Sequence, residues 1–151
     1  MIQSVELNIR ALRPEDQVHW LPLWRGYLEF YKHEQTEDQT QMAFDRLIAA
    51  DQTLNALVAE LDGKLIGLAH YFWTPSTWIE HKDLYLEDLF VDPEHRASGV
   101  ARQLIHAVVE ICKSKGGSKV HWQTHKDNDV ARALYEKLGT LSEFVVYEIK
   151  L

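Results

Sequence analysis

Cysteine is almost missing: Cys112 is the only one in 151 residues. No intrachain disulfide can form, and the chain suits a reducing compartment. Long apolar runs are missing as well, so no segment reads as a bilayer-crossing helix and no membrane partner is expected. The opening MIQSVELNIRALRPED lacks the basic, apolar and cleavage regions of a secretory signal, which makes a cytoplasmic location the expectation. Positive charge is scarce, with 16 Lys plus Arg against 23 Asp plus Glu and a formal charge of -7. A nucleic-acid binder needs a basic face, so that class is set aside. The imbalance would draw a cationic partner, although solubility alone also accounts for it. No repeat, low-complexity tract or linker interrupts the chain. Its length, with 46% hydrophobic and 26% charged residues, fits one soluble domain over 1–151 with a sizeable core.

Against these absences, the hydrophobic pattern is rich. VELNIRAL alternates as a strand, and Pro14 opens a helix with Trp20, Leu23, Trp24, Tyr27, Leu28 and Tyr31 at helical spacing. A shorter helix over about 38–50 carries Met42, Leu47 and Ile48. TLNALVAELDGKLIGLAHYFW reads as a hairpin turning at Asp62-Gly63, and DLYLEDLFV as a third consecutive strand closed by Asp92-Pro93. A helix over about 98–114 aligns Val100, Leu104, Ile105, Val108 and Cys112, and Gly116-Gly117 stops it. KVHWQT is a strand, NDVARALYEKLG a helix closed by Gly139, and FVVYEIKL a last strand. The order β-α-α-β-β-β-α-β-α-β predicts an α+β (mixed α/β) fold, a mostly antiparallel mixed sheet flanked by helices.

The stretch VDPEHRASGVARQ stands at the carboxyl end of a strand, where open sheets tend to hold ligands. A helix N-terminus offers unpaired N–H groups and a partial positive charge, which suits a phosphate. Ala97, Ser98 and Gly99 leave the approach open, while Arg96 and Arg102 add cations. The alternative is a loop shaped by turn geometry alone, with Arg96 paired to Asp92 or Glu94. Neither a P-loop nor a Gly-x-Gly-x-x-Gly turn is present.

RASGVA matches the Arg/Gln-x-x-Gly-x-Gly/Ala signature of the GNAT superfamily of acyl-CoA-dependent N-acetyltransferases, and DNDVARALYEKLG resembles that family's second motif. The strand order is similar too, and the resemblance spans almost the whole chain. YFWTPSTWIEHKDLYLEDLFV looks more narrowly like spermidine/spermine and small histone acetyltransferases. The resemblance implies a GNAT-like fold and acetyl-CoA as co-substrate, lying in a cleft between the strands at 84–91 and 119–124. Its pyrophosphate would rest on Arg96, Ala97, Ser98, Gly99, Val100 and Ala101, with Arg102 nearby. Backbone groups of Leu89, Phe90 and Val91 would face the thioester, and Asn128 would bind the pantetheine arm, although Asp127 or Asn128 also suits a helix cap. Position 97 departs from the pattern by carrying alanine where many members have glycine. After Gly139 twelve residues remain, short for the family's usual two terminal strands, so a partner chain is expected to finish the sheet as a homodimer.

Acetyl transfer to an amine needs a base, because an alkylammonium has a pKa near about 10. In YLEDLF, alternation puts Glu87 with Tyr85, Leu89 and Val91, and Asp88 with Leu86 and Phe90. A carboxylate among apolar neighbours is costly unless paired or functional. The resemblance points to Glu87 as the base and leaves Asp88 open. Tyr135, a neutral phenol at pH 7, can donate to the leaving thiolate; helical periodicity alone would make it half-core, and it is the resemblance that implies the role of acid. Direct transfer asks nothing of Cys112, which falls on an apolar helix face. His121 and His125, among eight histidines, lack partners for a metal site, so no metal is expected. The expected acceptor is a small cationic amine or basic peptide: a polyamine, a lysine-like amine or a histone tail. The rivals are an aminoglycoside-type acetyltransferase, a non-catalytic acyl-CoA-binding module and a nucleotide-binding protein.

Overall fold

The computed structural model describes residues 6–151. The strand expected from Val5 starts outside the described residues; β1 runs Leu7–Ala11. A 3-10 turn at Pro14–Asp16 leads into α1 (Gln17–Phe30) and then α2 (Glu37–Leu47). β2 (Asn55–Leu61), β3 (Lys64–Thr74) and β4 (Asp83–Val91) follow, then α3 (Val100–Ser114), β5 (Val120–Trp122) and α4 (Asp129–Leu138). The strands form one sheet in chain order. β1 to β4 pair antiparallel, and β5 joins β4 in parallel through the α3 crossover. This is the mixed, helix-flanked sheet that the hydrophobic pattern predicts. Among the described residues no helix is long and apolar enough to cross a membrane.

Local chemistry explains the boundaries. Asp62 and Gly63 take φ values of 52° and 77°, the positive pair that a tight hairpin turn needs to match strand twist. Thr36 and Gln39 cap each other's backbone N–H at the start of α2. On α2 one expectation fails: Met42 is exposed and Phe44 is buried, because the inward face follows Phe44 and Leu47.

The sheet divides two apolar cores. On one face Val100, Leu104, Ile105, Val108 and Cys112 of α3 pack on Leu57, Ile66, Leu84 and Leu86, as their spacing predicts. On the other, Trp20, Leu23, Trp24, Leu28, Phe44 and Leu47 cover Val58, Leu65, Leu68 and Phe90.

The expected last strand does not form within the chain. Residues 140–151 lie outside every helix and strand, and Phe144, Val146, Tyr147 and Ile149 are exposed. Alternating apolar residues favour a strand only when a neighbouring edge takes their backbone groups, and no backbone bond to such an edge exists for this segment among the described residues.

Asp83 joins β4 to the segment entering β5. Its Oδ1 accepts from Ser118 N (2.9 Å), Ser118 Oγ (2.7 Å) and Lys119 N (3.0 Å). Burial pushes its pKa up, but these donors outweigh burial and hold it below the usual carboxylate value. Replacing Asp83 by Ala strands three donors. It should cost on the order of 3 kcal/mol and lower the Tm by about 6–12 °C in a thermal melt at pH 7. A lowered carboxylate pKa stabilises fully above the unfolded value and is lost as pH falls through the folded one. The gap between wild type and Asp83→Ala should therefore narrow in acid.

Candidate active site

β4 carries one residue more than β3 at its centre. His70 pairs with Asp88 while Tyr71 pairs with Leu86, which leaves Glu87 as the extra residue of a β-bulge. Strict alternation, expected to set Glu87 and Asp88 on opposite faces, therefore breaks. Leu84, Leu86, Leu89 and Val91 all lie with the α3-side core, and Phe90 lies opposite. Glu87 and Asp88 both line one cavity of about 720 Å3 on the α1/α2 side. Its walls include Trp24 and Tyr27 of α1 and Tyr31 just after it, Arg46 of α2, and His70, Phe72 and Trp73 of β3.

The two carboxylates differ. Asp88 is buried and its Oδ2 lies 2.9 Å from His70 Nδ1. His70 Nε2 accepts from the Trp20 indole N–H at 3.1 Å. An indole nitrogen only donates, so Nε2 holds a lone pair, and the ring proton sits on Nδ1 and is donated to Asp88 Oδ2. The Tyr27 hydroxyl also faces Asp88; burial, then the Asp88 charge, drive its pKa well above the ordinary phenol value. Glu87 is exposed to the cavity and has no hydrogen-bond partner among the described side chains. Burial first, and repulsion from Asp88 second, raise its pKa above the usual glutamate value. The Trp20–His70–Asp88 chain is absent from the sequence reading. Its signal was a histidine inside the apolar run LIGLAHYFW, opposite an aspartate in LEDLFV.

Beyond the bulge β4 and β5 part. Their pairing ends at Leu86 and Trp122, so the β5-facing backbone groups from Glu87 to Val91 have no strand partner. This opening lies between the two strands where the co-substrate cleft is expected. Its floor continues into the loop before α3. Ala97 and Gly99 take φ values of 63° and 85°, and no side chain caps the α3 N-terminus. A Cβ on Gly99 would meet nothing within 4 Å, so the approach to Val100, Ala101 and Arg102 is open. Arg96 is paired with neither Asp92 nor Glu94. Its Nε donates to the Val91 carbonyl at 3.1 Å, and its guanidinium lies 5.3 Å from the Phe90 ring centroid and 5.9 Å from that of Phe30. Ser98 Oγ donates to the His95 carbonyl, which holds the loop.

The α4 residues lie apart from the cavity wall. Asn128 is the helix cap: its Oδ1 accepts from Ala131 N (3.4 Å) and its Nδ2 donates to Thr124 Oγ1 (3.1 Å). Tyr135 stands edge-on to Trp122 at 5.4 Å, and burial first, then Tyr31, push its phenol up to about 12. It is a neutral donor at pH 7. Cys112 is buried beneath α3 and its thiol is pushed up by burial. Among the described residues no group of three or more His, Cys, Asp or Glu could hold a metal ion.

The acetyltransferase (GNAT) family model matches residues 19–140, and the chain belongs to this family of acetyl-CoA-dependent N-acetyltransferases. The D-amino-acid N-acetyltransferase HPA3 of Saccharomyces cerevisiae is 31% identical, covering 93% of this chain and 88% of its own. The thialysine N-epsilon-acetyltransferase of Bos taurus is 30% identical over 74% of this chain and 72% of its own. Among solved structures, the aminoglycoside N-acetyltransferase AAC(6')-Iy in complex with CoA superposes with a TM-score of 0.85 at 23% identity, covering 99% and 98% of the two chains. That likeness is one of fold.

Ala97 sits in the left-handed region, where a Cβ costs roughly 1–2 kcal/mol. Replacing it by Gly relieves that strain but loosens the unfolded chain by about 0.4–1 kcal/mol. Ala97→Gly should therefore raise stability by about 0.5–1 kcal/mol in urea unfolding, with no change in the slope against denaturant.

Proposed function

We propose that this acetyltransferase moves the acetyl group directly from acetyl-CoA to a primary amine of a cationic acceptor, with Glu87 as proton acceptor and Tyr135 as proton donor. The observation that carries the reading is the pair of carboxylates on one wall of an aromatic-lined cavity. The Asp88 carboxylate, fixed by His70, attracts an ammonium, and the aromatic lining of Tyr27, Tyr31 and Phe72 favours the same charge. Glu87, whose pKa is raised toward neutrality, takes the proton, directly or through water. The amine nitrogen then forms a bond to the thioester carbon, and the C–S bond breaks as the tetrahedral intermediate collapses. The sulfur leaves as a thiolate and receives the phenolic proton of Tyr135, and the second proton shed by the acylated nitrogen restores the phenol, directly or through water. Free backbone N–H groups of the parted β4 strand, around Leu89, Phe90 and Val91, would stabilise the oxyanion. The uncapped N–H groups of residues 97–102 would hold the pyrophosphate, and Asn128 the pantetheine arm. Arg96, bound to the Val91 carbonyl, would support the loop and present its remaining N–H groups at the edge.

A lysine-like amine, a polyamine and a histone tail all carry the ammonium that this wall attracts. Two relatives are named for amino-acid acceptors, D-amino acids and thialysine, which supports a small one. Thiol release from acetyl-CoA against a panel of lysine, thialysine, spermidine, histone-tail peptides and an aminoglycoside tests the reading. Turnover with none of them, despite CoA binding, would favour the binding module.

A proton-accepting Glu87 must be ionised. kcat/KM should fall as pH drops through its raised pKa, at higher pH than an ordinary carboxylate would allow. Glu87→Gln should cut kcat by about 10²-fold at neutral pH and remove that acid limb. Tyr135→Phe should lower kcat by about tenfold or more while the affinity for CoA stays nearly constant; equal turnover would remove Tyr135 from the mechanism.

The assembly proposed is a homodimer in which residues 144–150 of one protomer pair with the free edge of the partner's β5. The exposed apolar side chains of this segment and the edge position of β5 support it. Sedimentation should give twice the mass of one chain, and placing Lys at both Val145 and Tyr147 should yield a folded monomer. A wild-type protein that sediments as a monomer at micromolar concentration overturns the dimer.

A further inference from the structure

The cavity is electrically bipolar. Glu87 and Asp88 of β4 form its negative pole, with His70 bonded between Trp20 and Asp88. Arg46, in the last turn of α2, lines the same cavity and makes no ion pair among the described residues. The acid beside it in sequence, Asp45, accepts instead from Gln41 Nε2 at 2.9 Å. The rest of the lining is mainly aromatic and aliphatic, with Trp24, Tyr27, Phe72 and Leu47, and includes the polar His33, Gln35 and Thr53. Arg46 is close enough to act on Glu87: His70 first, and Arg46 after it, oppose the upward push from burial. An acceptor with cations at both ends would set one of them against this guanidinium. An acceptor with an amine at one end and an anion at the other matches both charges and the largely apolar lining.

We infer that the acceptor is a free amino acid, whose amine is directed to the Glu87–Asp88 wall and whose carboxylate is received by Arg46. The inference rests on the acetyl-transfer reading above and narrows its acceptor. A guanidinium presents paired N–H donors in the geometry of a carboxylate, which makes Arg46 a reader of acceptor identity rather than a participant in the chemistry. The narrowing runs against polyamines and internal lysines of histone tails, which bring the ammonium without a carboxylate at the right remove.

The test compares amino acids with their decarboxylated amines in the intact enzyme: lysine with cadaverine, and both enantiomers of phenylalanine with phenethylamine. The readout is thiol release from acetyl-CoA. In the wild type, kcat/KM for at least one amino acid should exceed that for its amine by tenfold or more. In Arg46→Gln the ratio between the two should collapse by at least tenfold, chiefly through the amino acid's KM, and Arg46→Lys should keep part of it. Arg46 is exposed on α2, and a thermal melt confirms that the variants fold. A merely structural role would lower both activities alike and leave the ratio intact, which would overturn the inference. Equal turnover of acid and amine in the wild type would overturn it as well, while leaving acetyl transfer standing. No turnover with any amine would overturn the acetyl-transfer reading and this one with it.

Discussion

Between Leu86 and Asp88, β4 carries a residue that β3 does not match, and Glu87 is that residue. A bulge bends and twists the strand that holds it, and here it has two consequences on opposite sides of the sheet. Toward β3, it turns two successive carboxylates to the same face and so builds the negative wall of the cavity. Toward β5, pairing ends at the same point, and the exposed backbone of β4 becomes the lip of a cleft. The cavity and the opening between β4 and β5 thus meet at one strand because one residue has no partner. The Asp83 clamp to Ser118 and Lys119 keeps the near ends of β4 and β5 together, so that the parting is local.

Around that strand the two helical layers have different tasks. α3 is a wholly apolar support on one face whose N-terminus, entered through the left-handed Ala97 and Gly99, presents unpaired N–H groups at the mouth of the cleft. α1 and α2 supply the opposite wall, and there the buried Trp20 does more than fill space. Its indole N–H selects the tautomer of His70, and so directs the Nδ1 proton to Asp88. A core aromatic and a cavity carboxylate are coupled through one imidazole, and burial of all three keeps that coupling strong.

Much of the fold was legible in the residues. The α3 stripe of Val100, Leu104, Ile105, Val108 and Cys112 is buried in full, and Asp62-Gly63 turns the hairpin as its chemistry requires. The open geometry of the loop at 96–101 was legible because a backbone that takes positive φ favours small residues, which leave a mark in composition. Less legible was the role of Arg96, since a cation beside a loop does not reveal that Val91 and Phe90 hold it. Met42 misled because the apolar pattern of a short helix admits two faces, and only the sheet beneath α2 selects Phe44 and Leu47. The last strand misled for a related reason: FVVYEIKL has strand composition, and a strand also needs an edge.

Local sequence determined the order of elements, their caps and turns, the inward faces of the long helices and the family signatures, because each depends on neighbours within a few positions along the chain. The side-by-side placement of Glu87 and Asp88, the Trp20–His70–Asp88 chain, the pole at Arg46 and the parting of β4 from β5 were decided by tertiary structure alone. Strict alternation along YLEDLF predicts the reverse for the two carboxylates. A bulge is a mismatch between two strands, and a mismatch is a property of the pair; it is written in neither strand taken singly.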